Sequence, residues 1–257
     1  MVQIRSVGKA RGWRWIVEGY ALFQKSRLMW VMITLGLLCV FKLILLIPFI
    51  GVAALLCMPI ILVGLMEGCR ALDIGNDLKP TYLLSGFVRN TVALVTLGGI
   101  YLVGNLLIIL IITAIGGDAI MQVLKFTATQ KATPDNVELI RDAVSKATLA
   151  VLAGWLLSIP LMMASWFSPL LVYLHDMKPL PAMWMSLKAC LRNTMPFLIY
   201  GLVCFFALML VTPVSMATGI LDLGMWLLAP VVIPSIYASY KDIFVAAEAP
   251  PAVNTPA

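Results

Sequence analysis

Three polar side chains stand inside long apolar stretches of this sequence: Lys42 within Val40-Phe41-Lys42-Leu43, Glu67, and Asn105. A charged group at membrane depth is costly, and where one is kept it marks ion or proton pathways. The pattern is sparse for that chemistry. Lys42 has a stem long enough to snorkel toward an interface near Pro48. Glu67 has Arg70 one helical turn later, a spacing that predicts an interfacial ion pair. A proton relay needs a second deep carboxylate, and no other acidic residue lies deep in an apolar run. Asn105 is a mid-membrane hydrogen-bonding group, expected to join two helices rather than hold a substrate.

Catalytic and metal chemistry find less support still. The five cysteines, Cys39, Cys57, Cys69, Cys190 and Cys204, sit among Leu, Val and Phe with no C-x-x-C spacing. They read as small apolar fillers rather than disulfide partners or metal ligands. His175 is the single histidine, so no His-rich metal site is expected and a triad has no evident partners. No nucleotide-binding loop, H-E-x-x-H, G-x-S-x-G or intramembrane aspartyl pair occurs. The expectation is a non-enzyme without catalytic residues, cofactor or metal.

The elements that position these residues follow from composition. Hydrophobic residues make up 62% of the 257, charged residues 12%, and the mean hydropathy is +1.01. A soluble domain carries roughly twice that charge. The bilayer must therefore be the solvent, and apolar runs of this length without period-two alternation must be helices. The expected fold is an all-α integral membrane protein with six spans, at about 28–48, 51–71, 91–115, 148–174, 195–215 and 224–241. The first 27 residues are polar and basic and read as the lead-in to an uncleaved span, not a signal peptide. The longest polar stretch, about 116–146, is too short for a core of its own. Gly64-x-x-x-Gly68 allows close helix contact, with internal packing the safer expectation. Pro160, Pro169, Pro213, Pro230 and Pro234 can kink the later spans.

Lysine and arginine set the orientation. With the N-terminus cytoplasmic, thirteen of the 18 basic residues fall on that side, from Arg5 and Lys9 to Arg192 and Lys241. The opposite side holds Lys125, Lys131, Arg141 and Lys146, balanced by Asp118, Asp135, Glu138 and Asp142. This positive-inside bias places both termini in the cytoplasm. The formal charge of +6 is strung along membrane boundaries, so anionic headgroups are the expected partner and nucleic acid is not.

A threefold recurrence organises the chain. Basic junctions at Lys25-Ser26-Arg27, Arg89-Asn90-Thr91 and Arg192-Asn193-Thr194 each open an apolar run, and each returning run carries a proline at Pro59, Pro169 or Pro230. Each junction follows an amphipathic stretch. In 12–25, Trp13, Ile16, Val17, Tyr20 and Phe23 recur at helical spacing, with Arg14 and Glu18 four apart and able to pair. In 80–90, Leu83, Leu84, Phe87 and Val88 share a face; in 181–193, Met183, Trp184, Leu187 and Leu191 do. These predict three parallel hairpin repeats, each preceded by a cytoplasmic interfacial helix, in a single membrane domain over 1–243. The units are about 10–72, 78–176 and 180–243. The second carries a non-cytoplasmic helical insertion at about 117–147, with a helix-start signal at Thr133-Pro134-Asp135, and 244–257 is expected to be a disordered tail. Candidate headgroup contacts are Arg14, Lys25, Arg27, Arg89, Lys188 and Arg192.

At Gly12-Trp13-x-Trp15-Ile16-Val17-Glu18-Gly19, Pro59 to Leu72, Ser85-Gly86-Phe87-x-Arg89-Asn90 and Tyr237 to Phe244, the chain resembles a family of uncharacterised bacterial inner-membrane proteins. The resemblance spans nearly the whole chain and implies an inner-membrane location but no substrate or catalytic residue. The layout is also similar to membrane domains that accompany glycerophosphodiester phosphodiesterases, although the phosphodiesterase domain itself is absent from this sequence.

Two readings stay open. One is a non-enzymatic scaffold or assembly protein that grips anionic lipid and meets a membrane-protein partner. The other is a small transporter or lipid-handling protein with a cavity between the repeats, using Asn105, Lys42 and the proline kinks. Sparse buried charge favours the first; an apolar substrate escapes that objection.

Overall fold

The computed structural model describes residues 2–45, 47, 50–129, 137–219 and 223–246. In chain order it places β1 (Val2–Ile4), α1 (Arg11–Lys25), α2 (Arg27–Leu45), α3 (Ile50–Asp73), a 3-10 segment (Pro80–Leu84), α4 (Ser85–Val88) and α5 (Thr91–Thr129). There follow α6 (Val137–Trp166), α7 (Ser168–His175), α8 (Pro179–Arg192), α9 (Thr194–Thr218), α10 (Leu223–Ile243) and β2 (Phe244–Ala246). Among the described residues six helical stretches are long and apolar enough to cross a membrane: α2, α3, α5, α6 with α7, α9 and α10. The protein is a multi-pass membrane protein.

Helix α5 carries the third span past 115, as the apolar spacing of Ile120, Val123 and Leu124 leads one to expect: it runs 39 residues, about 58 Å at 1.5 Å per residue, roughly twice a bilayer core. Gly116 alone leaves helical geometry within it, and the C-terminal part of α5 lies against α6 as a helical hairpin. Thr133-Pro134-Asp135 and Lys131, singled out above, lie outside the described residues. Three other details depart from expectation. The fourth span breaks at Phe167, where α7 restarts with Pro169 as its second residue. The stretch over 80–90 is not one helix. It is a 3-10 segment and a single helical turn, ended by an extended Arg89 and by Asn90 in the left-handed region at φ 59°. Eleven residues with a glycine are too few to sustain a longer helix. Finally, the tail expected from 244 is ordered through Ala246. It pairs antiparallel with β1, Ile4 opposite Phe244 and Val2 opposite Ala246, and Arg5 N–H extends the ladder to the Ile243 carbonyl at 2.8 Å.

Helices α3 and α10 form the centre: half of Ala54–Asp73 and 44% of Leu223–Ile243 are buried, against 6% of Thr194–Thr218 in α9. Trp15, Trp30, Phe167, Leu171 and Ile243 are fully enclosed. The short helices dock on other spans. Helix α1 lies against α9 and α10, the 3-10 segment and α4 against α3, and α8 against α6 and α7.

They dock largely through residues other than the apolar stripes named above. Helix α1 buries Gly12, Trp15, Gly19 and Leu22, while Trp13, Val17 and Tyr20 stay about half exposed. Helix α8 buries Ala182, Met183, Ser186, Ala189 and Cys190 and turns Trp184 and Leu191 outward. In α4 Gly86 faces in and Phe87 and Val88 face out. Small residues let backbones approach closely. A Cβ at Gly12 would lie 2.1 Å from the Pro196 carbonyl oxygen, and one at Gly19 2.6 Å from Ser235 N. Rings such as Trp13 and Tyr20, half dry and half wet, suit the headgroup region instead. Glu18 pairs with Arg11 at 3.0 Å rather than with Arg14, because α1 turns Arg11 toward its own glutamate and Asp242. The Gly64-x-x-x-Gly68 motif packs internally, as expected: Gly64 receives Leu83 and Tyr82, and Gly68 receives Leu78.

Candidate functional site

A cavity of about 330 Å³ opens between α3, α5, α6, α7 and α10. Its wall comprises Leu55, Met58, Pro59 and Leu62 of α3, Leu97, Gly98 and Tyr101 of α5, Met162, Ser165 and Trp166 of α6, Ser168 and Pro169 of α7, and Ile236 of α10. No charged side chain lines it. Local sequence makes the space. Helix α5 touches α3 at Gly98, where a Cβ would sit 2.3 Å from the Leu56 carbonyl. The break at Phe167 then deflects α7, so α6 and α7 cannot fill the gap as one straight rod would. Pro59 has no N–H to offer the Leu55 carbonyl. Pro169 likewise leaves the Ser165 carbonyl, which accepts from Ser168 Oγ at 3.3 Å instead. Ser165 Oγ and Trp166 Nε1 are covered and without a hydrogen-bond partner. At 1.5 Å per residue from Thr91, Leu97 and Tyr101 lie about 9 and 15 Å along α5. The cavity therefore lies at acyl-chain depth. Leu55, Met58, Tyr101 and Met162, each about half exposed, form its mouth on the lipid side.

One helical turn toward the basic end, a narrow crevice between α3, α7 and α10 is lined by Glu67, Arg70, Tyr173 and Tyr237. One ion pair lies in its wall and two more stand beside its tyrosines. Glu67 and Arg70 lie 3.6 Å apart, Arg89 donates to Asp176 at 2.6 Å, and Lys241 donates to Asp73 at 2.5 Å. Arg89 stands over the Tyr173 ring at 5.6 Å and Lys241 over the Tyr237 ring at 5.8 Å. Asn90 donates to both Asp176 and the Val172 carbonyl, each at 2.9 Å. These bonds from Asn90 and Arg89 favour the carboxylate and hold the Asp176 pKa below its ordinary value. The cavity with this collar below it has the form of an amphiphile site, apolar chamber and polar rim.

Comparison with known proteins places this architecture. A Burkholderia thailandensis protein, described as a "probable inner membrane protein", is 31% identical over 261 residues, covering 95% of this chain and 94% of its own length. The chain belongs to that protein's family. No family model and no solved structure matches it. The name of this inner-membrane relative carries no substrate or reaction.

In this member of the inner-membrane family, the expected site residues scatter. Asn105 makes no interhelical bond; its Nδ2 donates to the Tyr101 carbonyl one turn back in α5, at 2.8 Å. It thus stands beyond the cavity wall. Lys42 is exposed in the last turn of α2 and does not line the cavity either. Of the features expected to build a cavity only Pro169 does so, joined by Pro59 from the threefold recurrence, while Glu67 joins the crevice below. Among the headgroup candidates, Arg14 and Arg27 are exposed, and Lys188 is exposed beside the Trp184 ring at 5.1 Å. The other three have protein partners. Lys25 Nζ donates to the Leu72 carbonyl at 2.9 Å, closing the end of α3, Arg192 donates to the Ile4 carbonyl at 3.2 Å, and Arg89 holds Asp176. His175 contacts the Tyr240 hydroxyl at 2.7 Å.

The asparagines of the repeated junction carry more structure than its arginines. Asn193 is 1% exposed; its Oδ1 accepts Val7 N–H at 2.9 Å, and its Nδ2 donates to the Arg5 and Ala189 carbonyls at 3.0 and 2.9 Å. Recurrence of Asn after Arg was the visible signal. Ser186, which accepts Phe167 N–H at 3.0 Å and donates to the Met163 carbonyl at 2.6 Å, had none.

Proposed function

We propose that this is a non-enzymatic lipid-handling protein of the bacterial inner membrane that holds an acyl chain in the cavity between α3, α5 and α6. The observation that supports it is the uncharged chamber of about 330 Å³ at acyl-chain depth, open on the lipid side. That volume lies at the lower end of the roughly 300–1,000 Å³ usual for small-molecule sites. An apolar cargo also removes the need for ionisable groups at depth. Mass spectrometry of protein extracted in mild detergent should find a stoichiometric lipid, and filling the mouth with Met162→Trp should remove it. Equal retention by both proteins sinks the reading.

The same proposal includes three parallel units, both termini cytoplasmic, and anionic headgroups around Arg14, Arg27 and Lys188. Position supports the repeat: Ser26, Asn90 and Asn193 each stand immediately before a span, α2, α5 and α9. An impermeant maleimide should reach a cysteine at position 138 from outside the cell. Labelling from the cytoplasm alone reverses the topology.

A second reading, a scaffold for a membrane-protein partner, is favoured by the outer hairpin, where Met121, Leu124 and Leu139 remain more than half exposed. Deleting 119–146 should then release a co-purifying partner while leaving the lipid in place.

A further inference from the structure

The collar of ion pairs is informative about which lipid the cavity would take, an inference that rests on the acyl-chain reading above. Glu67 with Arg70, Arg89 with Asp176 and Lys241 with Asp73 bring equal numbers of positive and negative groups to one rim. The rim has no net formal charge. A purely anionic headgroup gains from the arginines and loses comparably to the carboxylates, so the rim gives it no advantage. A headgroup with a phosphate and an ammonium can address both signs.

The pairs are also exchangeable. Arg89 and Asp176 are 51% and 62% exposed, and exposed pairs contribute little to stability, so a ligand's charges can replace one partner at small cost. Glu67 lines the crevice, and its Oε2 lies 3.6 Å from Arg70 with no hydrogen bond made, so the carboxylate has accepting capacity left over. Tyr173 ties the parts together. It lines the crevice with Arg70 and Glu67, carries Arg89 over its ring, and sits one turn from Pro169 in the cavity wall.

We propose that cavity and collar form one site for a zwitterionic phospholipid: an acyl chain in the chamber, the phosphate beside Arg70 and Arg89, and the ammonium beside Glu67 and Asp176.

The test uses the full chain in nanodiscs of equimolar phosphatidylethanolamine and phosphatidylglycerol with identical acyl chains, extracted mildly and read by native mass spectrometry. The zwitterionic lipid should be retained over the anionic one by about threefold, the scale of a single exposed ion pair. Asp176→Asn, which keeps an acceptor for Asn90, and independently Glu67→Gln should each flatten that preference while total retention persists. Leu55→Trp and Met162→Trp at the mouth should abolish retention of both lipids. Retention without preference, or with preference for the anionic lipid, overturns the headgroup assignment and leaves the chain cavity standing. No retention by the unaltered protein, or retention indifferent to the mouth variants, overturns both.

Discussion

At the basic end, α1, α4 and α8 meet the spans through Gly12, Gly19, Gly86 and Ser186, and ion pairs and asparagines link elements far apart in sequence. At the opposite end, α5 and α6 meet chiefly each other, through Gly116, Ala143 and Ala150. On the hairpin of α5 and α6, Lys146 pairs with Asp142 within a single helix. The basic end therefore sets how the spans are arranged, and the outer hairpin can vary without disturbing them. Polar bonds concentrate where water reaches the chain, because lipid gives no competing partner but also no driving force for apolar association.

Substitutions can break this contrast. The largest effect is expected for Gly12→Leu. Its Cβ would meet the Pro196 carbonyl at 2.1 Å, and overpacking against backbone should cost about 3 kcal/mol or more in a thermal melt. The matched control is Gly36→Ala, which has nothing within 4 Å and should be neutral or stabilising by up to about 1 kcal/mol. Similar melts for the two would remove the distinction between docking faces and lipid faces. Asn193→Ala strands Val7 N–H and the Arg5 carbonyl and should cost about 2–3 kcal/mol, visible also as faster amide exchange at Val7. Ser186→Ala should cost about 1–2 kcal/mol by orphaning the Phe167 N–H at the break that shapes the cavity.

Acid gives a smaller effect with a defined sign. Asp176 has its pKa lowered in the fold, so its stabilisation is present above the unfolded value near 3.8 and is lost as pH falls through the lowered one. Acid unfolding of Asp176→Asn should show a shallower pH dependence in that window. The smallest change belongs to the outer hairpin: Lys146→Ala should leave the melt within about 0.5 kcal/mol. A drop as large as that of Ser186→Ala would show that the hairpin is coupled to the bundle. In labelling experiments Cys190 should stay silent at neutral pH, because burial pushes its thiol pKa up to about 12.

Spans were legible in the sequence because hydropathy is local: lipid leaves an apolar run no choice but helix. The docking faces were not. Helix α1 carries indole rings at two nearby positions, and nothing in its composition separates Trp15, which is enclosed and donates to Asp242 at 2.9 Å, from the half-exposed Trp13 two residues earlier. What decides is the partner surface, Pro196 and Ser235, far along the chain. Arg89 and Arg192 stand two residues before spans that begin at Thr91 and Thr194, but their partners Asp176 and the Ile4 carbonyl are products of tertiary contact. Of the cavity only Pro169 was legible, because its volume depends on where five helices separate. Asn105 seemed placed for a bond between helices, yet its own Tyr101 carbonyl was nearer.

The pairing of β1 with β2 bears on how this chain can be made and rearranged. Helix α1 leaves the ribosome long before α9 and α10, the spans that receive it, so its inward glycines must wait on the membrane surface until those spans have been inserted. Docking of α1 is thus deferred until they are made. With the two ends of the described chain hydrogen-bonded to one another, the bundle has no obligatory first unit. A circular permutant that starts before the 3-10 segment and joins β2 to β1 through a short turn would keep every short helix beside its receiving span. It would also let α1 meet its docking surface as soon as it emerged.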